Sequence, residues 1–123
     1  MLAYVTLGTR DLDRAAAFYD ALLPLIGGTR MMEEAGYYIA WSDGTSNAGL
    51  GITYPFDKAE ATVGNGTMVA LQAASPEVVD AVHARALDLG GTDEGAPGER
   101  WPGFYAGYFR DLDGNKLNVC WIG

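Results

Sequence analysis

There is one histidine, His83, and one cysteine, Cys120. His83 follows Val82 in a stretch with helical apolar spacing, which puts it on a helix flank. There it is either a general base or a solvated or partly covered helix residue. Cys120 has no His or Arg beside it in sequence to favour the thiolate, so it reads as a small packing residue. A single cysteine also excludes an internal disulfide and a Cys-rich zinc site. Ser42, Ser46 and Ser75 have no nucleophile elbow and no histidine context. Gly64-Asn65-Gly66 is too short for a phosphate loop and lacks its lysine, so it reads as a turn. Aromatic side chains are better supplied: Tyr37, Tyr38, Trp41, Trp101, Phe104, Tyr105, Tyr108, Phe109 and Trp121. Strand alternation puts Tyr38 and Tyr105 on one face, and Tyr37, Trp41, Phe104 and Tyr108 on the other. They serve either core and interface packing or a cavity suited to a flat, apolar ligand. Arg100, before Trp101-Pro102-Gly103, either holds an anionic ligand or stands solvated on a loop.

Those residues need elements to position them. Residues 2–8 have the β-branched and apolar content of a strand. Asp11 is a helix N-cap, after which Leu12, Ala15, Ala16, Tyr19, Leu22 and Leu23 recur at helical spacing. Pro24 and Gly27-Gly28 stop that helix. Strands follow around 29–33, 36–42 and 48–53. Residues 54–66 read as a linker. A strand at 67–73 leads to Ser75-Pro76-Glu77, a helix start with a hydroxyl cap, proline in the first turn and an acid near the positive end. Val78, Val79, Val82, Ala86 and Leu89 form its apolar face, and Gly90 ends it. Strands near 92–96, 103–110 and 115–121 close the chain, with Asp111-Leu112-Asp113-Gly114-Asn115 as a turn.

The same plan is written twice. Gly27-Gly28-Thr29 recurs as Gly90-Gly91-Thr92, and Tyr4-Val5-Thr6-Leu7 falls on Met68-Val69-Ala70-Leu71. A shift of 67 lays Gly36–Trp41 on Gly103–Tyr108 and Leu50-Gly51-Ile52 on Leu117-Asn118-Val119. Each half is strand, helix and three strands. A helix covers only one face of such a sheet, and two bare faces curling together would build a concave space, a usual place for a small molecule.

The chain has 123 residues, enough for one domain, and 49% of them are hydrophobic. Its formal charge of −8 disfavours nucleic acid and anionic membrane surfaces. It has no run of about 18 apolar residues to span a membrane. The N-terminal stretch has no basic segment before its apolar run and does not read as a signal peptide, so the expected location is cytoplasmic.

The doubled plan resembles the glyoxalase / bleomycin-resistance protein / extradiol dioxygenase superfamily, also called vicinal oxygen chelate. The resemblance lies in Tyr4–Tyr19, in Asn65–Leu71, and most specifically in the closing hairpin Phe109–Leu117, where Leu112 stands in place of a common proline. It implies an α+β fold of two βαβββ modules forming a cupped mixed β-sheet with helices outside, in one domain (modules about 1–54 and 67–123). It also implies a homodimer.

Many members hold a divalent metal with four side chains, usually His, Gln or Glu. Carried over one at a time, these positions fall on Tyr4, Gly51, Met68 and Asn118. None is a strong ligand for magnesium, manganese or zinc. The expectation is therefore a protein without the family's metal or other cofactor. It would bind a small apolar or aromatic molecule in a cavity that includes Tyr4, Gly51, Met68, Gln72, Tyr105 and Asn118. The alternative is a glyoxalase-like lyase or isomerase, metal-dependent or metal-free, acting through Tyr4, Asn118 or Gln72.

Overall fold

A computed structural model describes residues 1–45 and 48–123; Ser46, one of the serines considered above, lies outside the described residues. The first half runs β1 (Tyr4–Gly8), α1 (Leu12–Leu22), a 3-10 turn (Leu23–Ile26), β2 (Thr29–Glu34), β3 (Tyr38–Ser42) and β4 (Gly49–Thr53). The second runs β5 (Val69–Gln72), α2 (Pro76–Asp88), β6 (Thr92–Trp101), β7 (Phe104–Arg110) and β8 (Lys116–Ile122). The strand orders are β1-β4-β3-β2 and β5-β8-β7-β6, the same order in each half. In each sheet the first strand lies parallel to the last and the other neighbours are antiparallel. This is an α+β fold of two βαβββ modules. The modules keep separate four-stranded sheets, and no barrel closes.

Local chemistry sets the helix ends. The Asp11 carboxylate accepts from the Arg14 N–H, and the Ser75 hydroxyl accepts from the Val78 N–H. Each satisfies a donor that the first helical turn leaves orphaned. Pro24 does not end the first helical segment outright; it starts the 3-10 turn, which stops at Gly27 with φ 81°. At α2, Gly90 takes φ 99°.

One core serves both modules. Leu7, Tyr19, Trp41, Leu50 and Ile52 from the first join Val79, Val82, Phe109, Leu117 and Val119 from the second. A polar joint fastens them. The buried Asp111 carboxylate accepts from the Tyr19 hydroxyl (2.6 Å), the Asn115 side-chain amide and the backbone N–H groups of Asp113 and Asn115. Asp113 takes the Thr9 hydroxyl (2.6 Å) and the Arg10 backbone N–H, and Asn115 donates to the Gly8 carbonyl. The closing turn is thus the clamp between the halves. Burial raises the Asp111 pKa even though its donors favour the charged form, and burial next to Asp111 raises that of Tyr19 well above its ordinary value.

Two sequence expectations need correction. The strand expected at 92–96 extends to Trp101 through three irregular steps in its pairing with β7, so Arg100 and Trp101 belong to a strand end rather than a loop. The register of the third strand also differs from the repeat alignment. Trp41 pairs with Leu50, and its counterpart opposite Leu117 is Phe109, not Tyr108. A one-residue slip in a strand moves every side chain to the other face. Tyr105 and Tyr38 therefore do not share an environment.

Candidate ligand site on the bare sheet faces

Each sheet has one face in the core and one bare. In the first module Leu7, Ile39, Trp41, Leu50 and Ile52 point into the core, so alternation leaves Tyr4, Thr6, Tyr38, Gly49, Gly51 and Thr53 on the bare face. In the second, Leu117 and Val119 of β8 and Phe109 of β7 point inward. Ala70, Gln72, Ala106, Tyr108, Lys116, Asn118 and Cys120 are left on the bare side.

The bare face of the first module carries a groove of about 430 Å³, lined by Tyr4, Thr6, Met31, Met32, Tyr37 and Tyr38 among others, all from that module. Tyr4 is 65% exposed there. Tyr38 lies over Gly51: a Cβ at position 51 would stand 2.7 Å from its ring carbons. Glycine is required by that close approach, and the phenol fills the place a side-chain ligand would need. Burial, and then the neighbouring Tyr4, raise the Tyr38 pKa. Met31, Met32 and Tyr38 extend the expected set. The parity of Tyr38 was available in the sequence, but which parity faced outward was not; the consecutive Met31 and Met32 both line the groove where the β2–β3 pairing shifts register between Arg30 and Met32.

On the second module's bare face, Asn118 is 2% exposed and its side-chain oxygen is buried without a hydrogen-bond partner. Gln72 and Met68 are exposed, Met68 immediately before β5. Cys120 is buried, and burial pushes its thiol pKa up, which disfavours the nucleophilic thiolate. Tyr105 lies on the helix side: its hydroxyl donates to Asp80 of α2 at 2.7 Å, which raises its pKa. It is part of the helix–sheet packing, and the cavity role expected for it does not fit this placement.

His83 is buried rather than solvated. Its Nε2 lies 3.0 Å from Asp93 and 3.2 Å from the Tyr108 carbonyl, and its ring packs against Gly107, where a Cβ would come within 3.2 Å. The imidazole fastens α2 to its sheet, on the face away from Asn118.

The residues at the family's four ligand positions do not fit a divalent metal. They offer a phenol, a thioether, a neutral amide and no side chain at all, and the position without one is covered by Tyr38. Zinc needs several imidazole, carboxylate or thiolate donors, and magnesium is held through at least one carboxylate. Among the described residues no three His, Cys, Asp or Glu side chains are grouped to hold an ion.

Comparison with known proteins places this architecture in a class. The chain belongs to the glyoxalase-like domain family, whose model matches residues 4–120. Among solved structures, a glyoxalase/bleomycin resistance protein from Albidiferax ferrireducens T118 is 36% identical, with a TM-score of 0.89 over 98% of this chain and 97% of that one. A lactoylglutathione lyase from Agrobacterium tumefaciens is 24% identical, with a TM-score of 0.69 over 98% of this chain and 92% of that one. The fosfomycin resistance protein FosX from Mesorhizobium loti is 17% identical, with a TM-score of 0.70 over 100% of this chain and 92% of that one. The last two show the fold alone. No curated protein matches the chain significantly. No helix among the described residues is long and apolar enough to cross a membrane.

Proposed function

We propose that this chain binds a small apolar or aromatic molecule on its bare sheet faces, without a metal and without turning it over, as a cytoplasmic homodimer of the bleomycin-resistance kind. Nucleic acid and membranes are not partners in this reading. What carries it is that the four positions the family resemblance gives for metal ligands hold Tyr4, Gly51, Met68 and Asn118. Without strong donors, the polarisation of adjacent substrate oxygens by a metal has no basis in these side chains. The groove beside Tyr4 offers methionine and tyrosine surface, which suits apolar and aromatic bodies.

The second reading is a lyase or isomerase. The buried, unpartnered oxygen of Asn118 supports it, because a substrate hydroxyl could donate there. Native mass spectrometry of the purified protein tests the first reading. The expected result is a dimer with no stoichiometric divalent ion, with or without a retained organic ligand. A stoichiometric divalent ion would overturn it.

A further inference from the structure

Within the bare face of the second module, two cations converge on one aromatic ring. The Arg100 guanidinium carbon lies 5.3 Å from the Tyr108 ring centroid, and the Lys116 ammonium lies 5.8 Å from it. Arg100 reaches back along its own strand, held by the carbonyls of Ala96 (2.7 Å) and Gly98 (3.0 Å). Gly95 makes room for this, because a Cβ there would stand 3.1 Å from the Tyr108 ring and 3.5 Å from the guanidinium. Strand order puts β6 and Arg100 on one flank of Tyr108, and β8 and Lys116 on the other.

Neither cation is paired. Among the described residues, Arg10, Arg14, Arg30 and Arg110 each form an ion pair with a carboxylate; Lys58, Arg85, Arg100 and Lys116 form none, and of these four Arg100 and Lys116 converge on one ring. The carboxylate that Lys116 influences, Glu94, is bonded to Arg110. With 16 acidic and 8 basic residues, a chain that leaves two cations unpaired at one spot has spare positive charge where most of its surface is negative. The same face holds the unpartnered Asn118 oxygen directly opposite Tyr108 in the β7–β8 register. It also holds the stacked pair Trp101 and Phe104, with centroids 4.4 Å apart.

We propose that this face binds a small aromatic acid carrying a hydroxyl or N–H donor. Arg100 and Lys116 take its carboxylate, and the donor satisfies Asn118. The proposal rests on the small-molecule reading above and gives its ligand an anionic end. Arg100 retains donors that its own strand does not use, and charge-assisted bonds are the stronger kind.

Calorimetry with 3-hydroxybenzoate, and with neutral 3-hydroxybenzamide for comparison, tests it. The acid is expected to bind more tightly than the amide, with an affinity that falls as sodium chloride rises while that of the amide stays level. Arg100→Gln and Lys116→Gln should each weaken the acid roughly tenfold or more. Arg85→Gln, on α2 where its side chain bonds the Ala21 carbonyl of α1, should not. Amide binding equal to the acid, unchanged acid binding in both variants, or no acid binding at millimolar concentration would each overturn the proposal. If a variant fails to fold, the acid–amide comparison on the unmodified chain still decides. Equal amide binding sinks this proposal and leaves the aromatic-ligand reading standing, whereas a stoichiometric metal sinks that reading without bearing on the salt-dependent acid.

Discussion

The bare faces of the two modules share one strand order and differ in what they display. The first shows phenols and thioethers around a glycine, with Tyr38 lying where a ligand side chain would stand. The second shows two unpaired cations about Tyr108 and a buried amide oxygen without a donor. On the first module's face Tyr38 covers Gly51 beside an apolar groove, and the second module's face is left polar and unsatisfied. The core sides are alike: large apolar residues from both sheets meet in one cluster. The two halves share a scaffold because packing constrains the inward parity in both; the outward parity carries no such constraint, and the residues there differ.

The largest expected effect lies at the joint between the regions compared. Asp111→Ala leaves the Tyr19 hydroxyl, the Asn115 amide and two backbone N–H groups without their acceptor. The expected loss is about 3 kcal/mol or more in urea unfolding. A loss below about 1 kcal/mol would show that the bonds to Asp111 add little to the joint between the modules.

The next pair sets the two faces against each other. Gly51→Val must push Tyr38 off its place and is expected to cost about 1–3 kcal/mol. Asn118→Leu removes a buried oxygen that has no donor, and is expected to be neutral or stabilising by about 1 kcal/mol in the ligand-free protein. Thermal unfolding of both variants checks this contrast; a destabilised Asn118→Leu would mean that the amide already has a partner.

The smallest effect is in the acid range. Arg30, hydrogen-bonded to Asp20 at 2.6 Å and 2.9 Å, holds that carboxyl below its ordinary pKa, with the Trp41 indole N–H adding to the effect. The folded-state pKa is lowered, so this pair stabilises the protein above the unfolded carboxylate's pKa of 3.8 and ceases to as pH falls through the folded value. Asp111 has the opposite sign: its raised pKa means that burial of the charged form costs stability above the folded value. Arg30→Gln should flatten the part of the acid dependence that Asp20 supplies, measured as stability between pH 2 and 5 (roughly the carboxylate range). An unchanged profile would remove the pair from the account. Its exposure keeps the effect small.

The doubled plan, both helix caps and the closing turn were legible because they depend on neighbours in sequence. Asp11 and Ser75 bond to donors three residues on, and Gly27 and Gly90 serve their own turns. Alternation sets Leu50 with Ile52 and Leu117 with Val119 on one face of the last strands; that this face is the inward one was decided by the tertiary structure. Alternation failed at Tyr105, because the repeat match slipped by one and nothing local penalises such a slip. It was silent on Arg100, whose meaning depends on a tyrosine on the next strand and on a side-chain-free glycine beneath its guanidinium.

The sequence by itself determined two βαβββ modules, their order and their caps. These follow from residue type, periodicity and a repeat that any reader of the chain can align. Only the tertiary structure decided that the sheets stay separate around one core, that His83 is buried against Asp93, and that Arg100 and Lys116 meet at Tyr108. Those outcomes depend on distances between segments far apart along the chain, and periodicity carries no information about them.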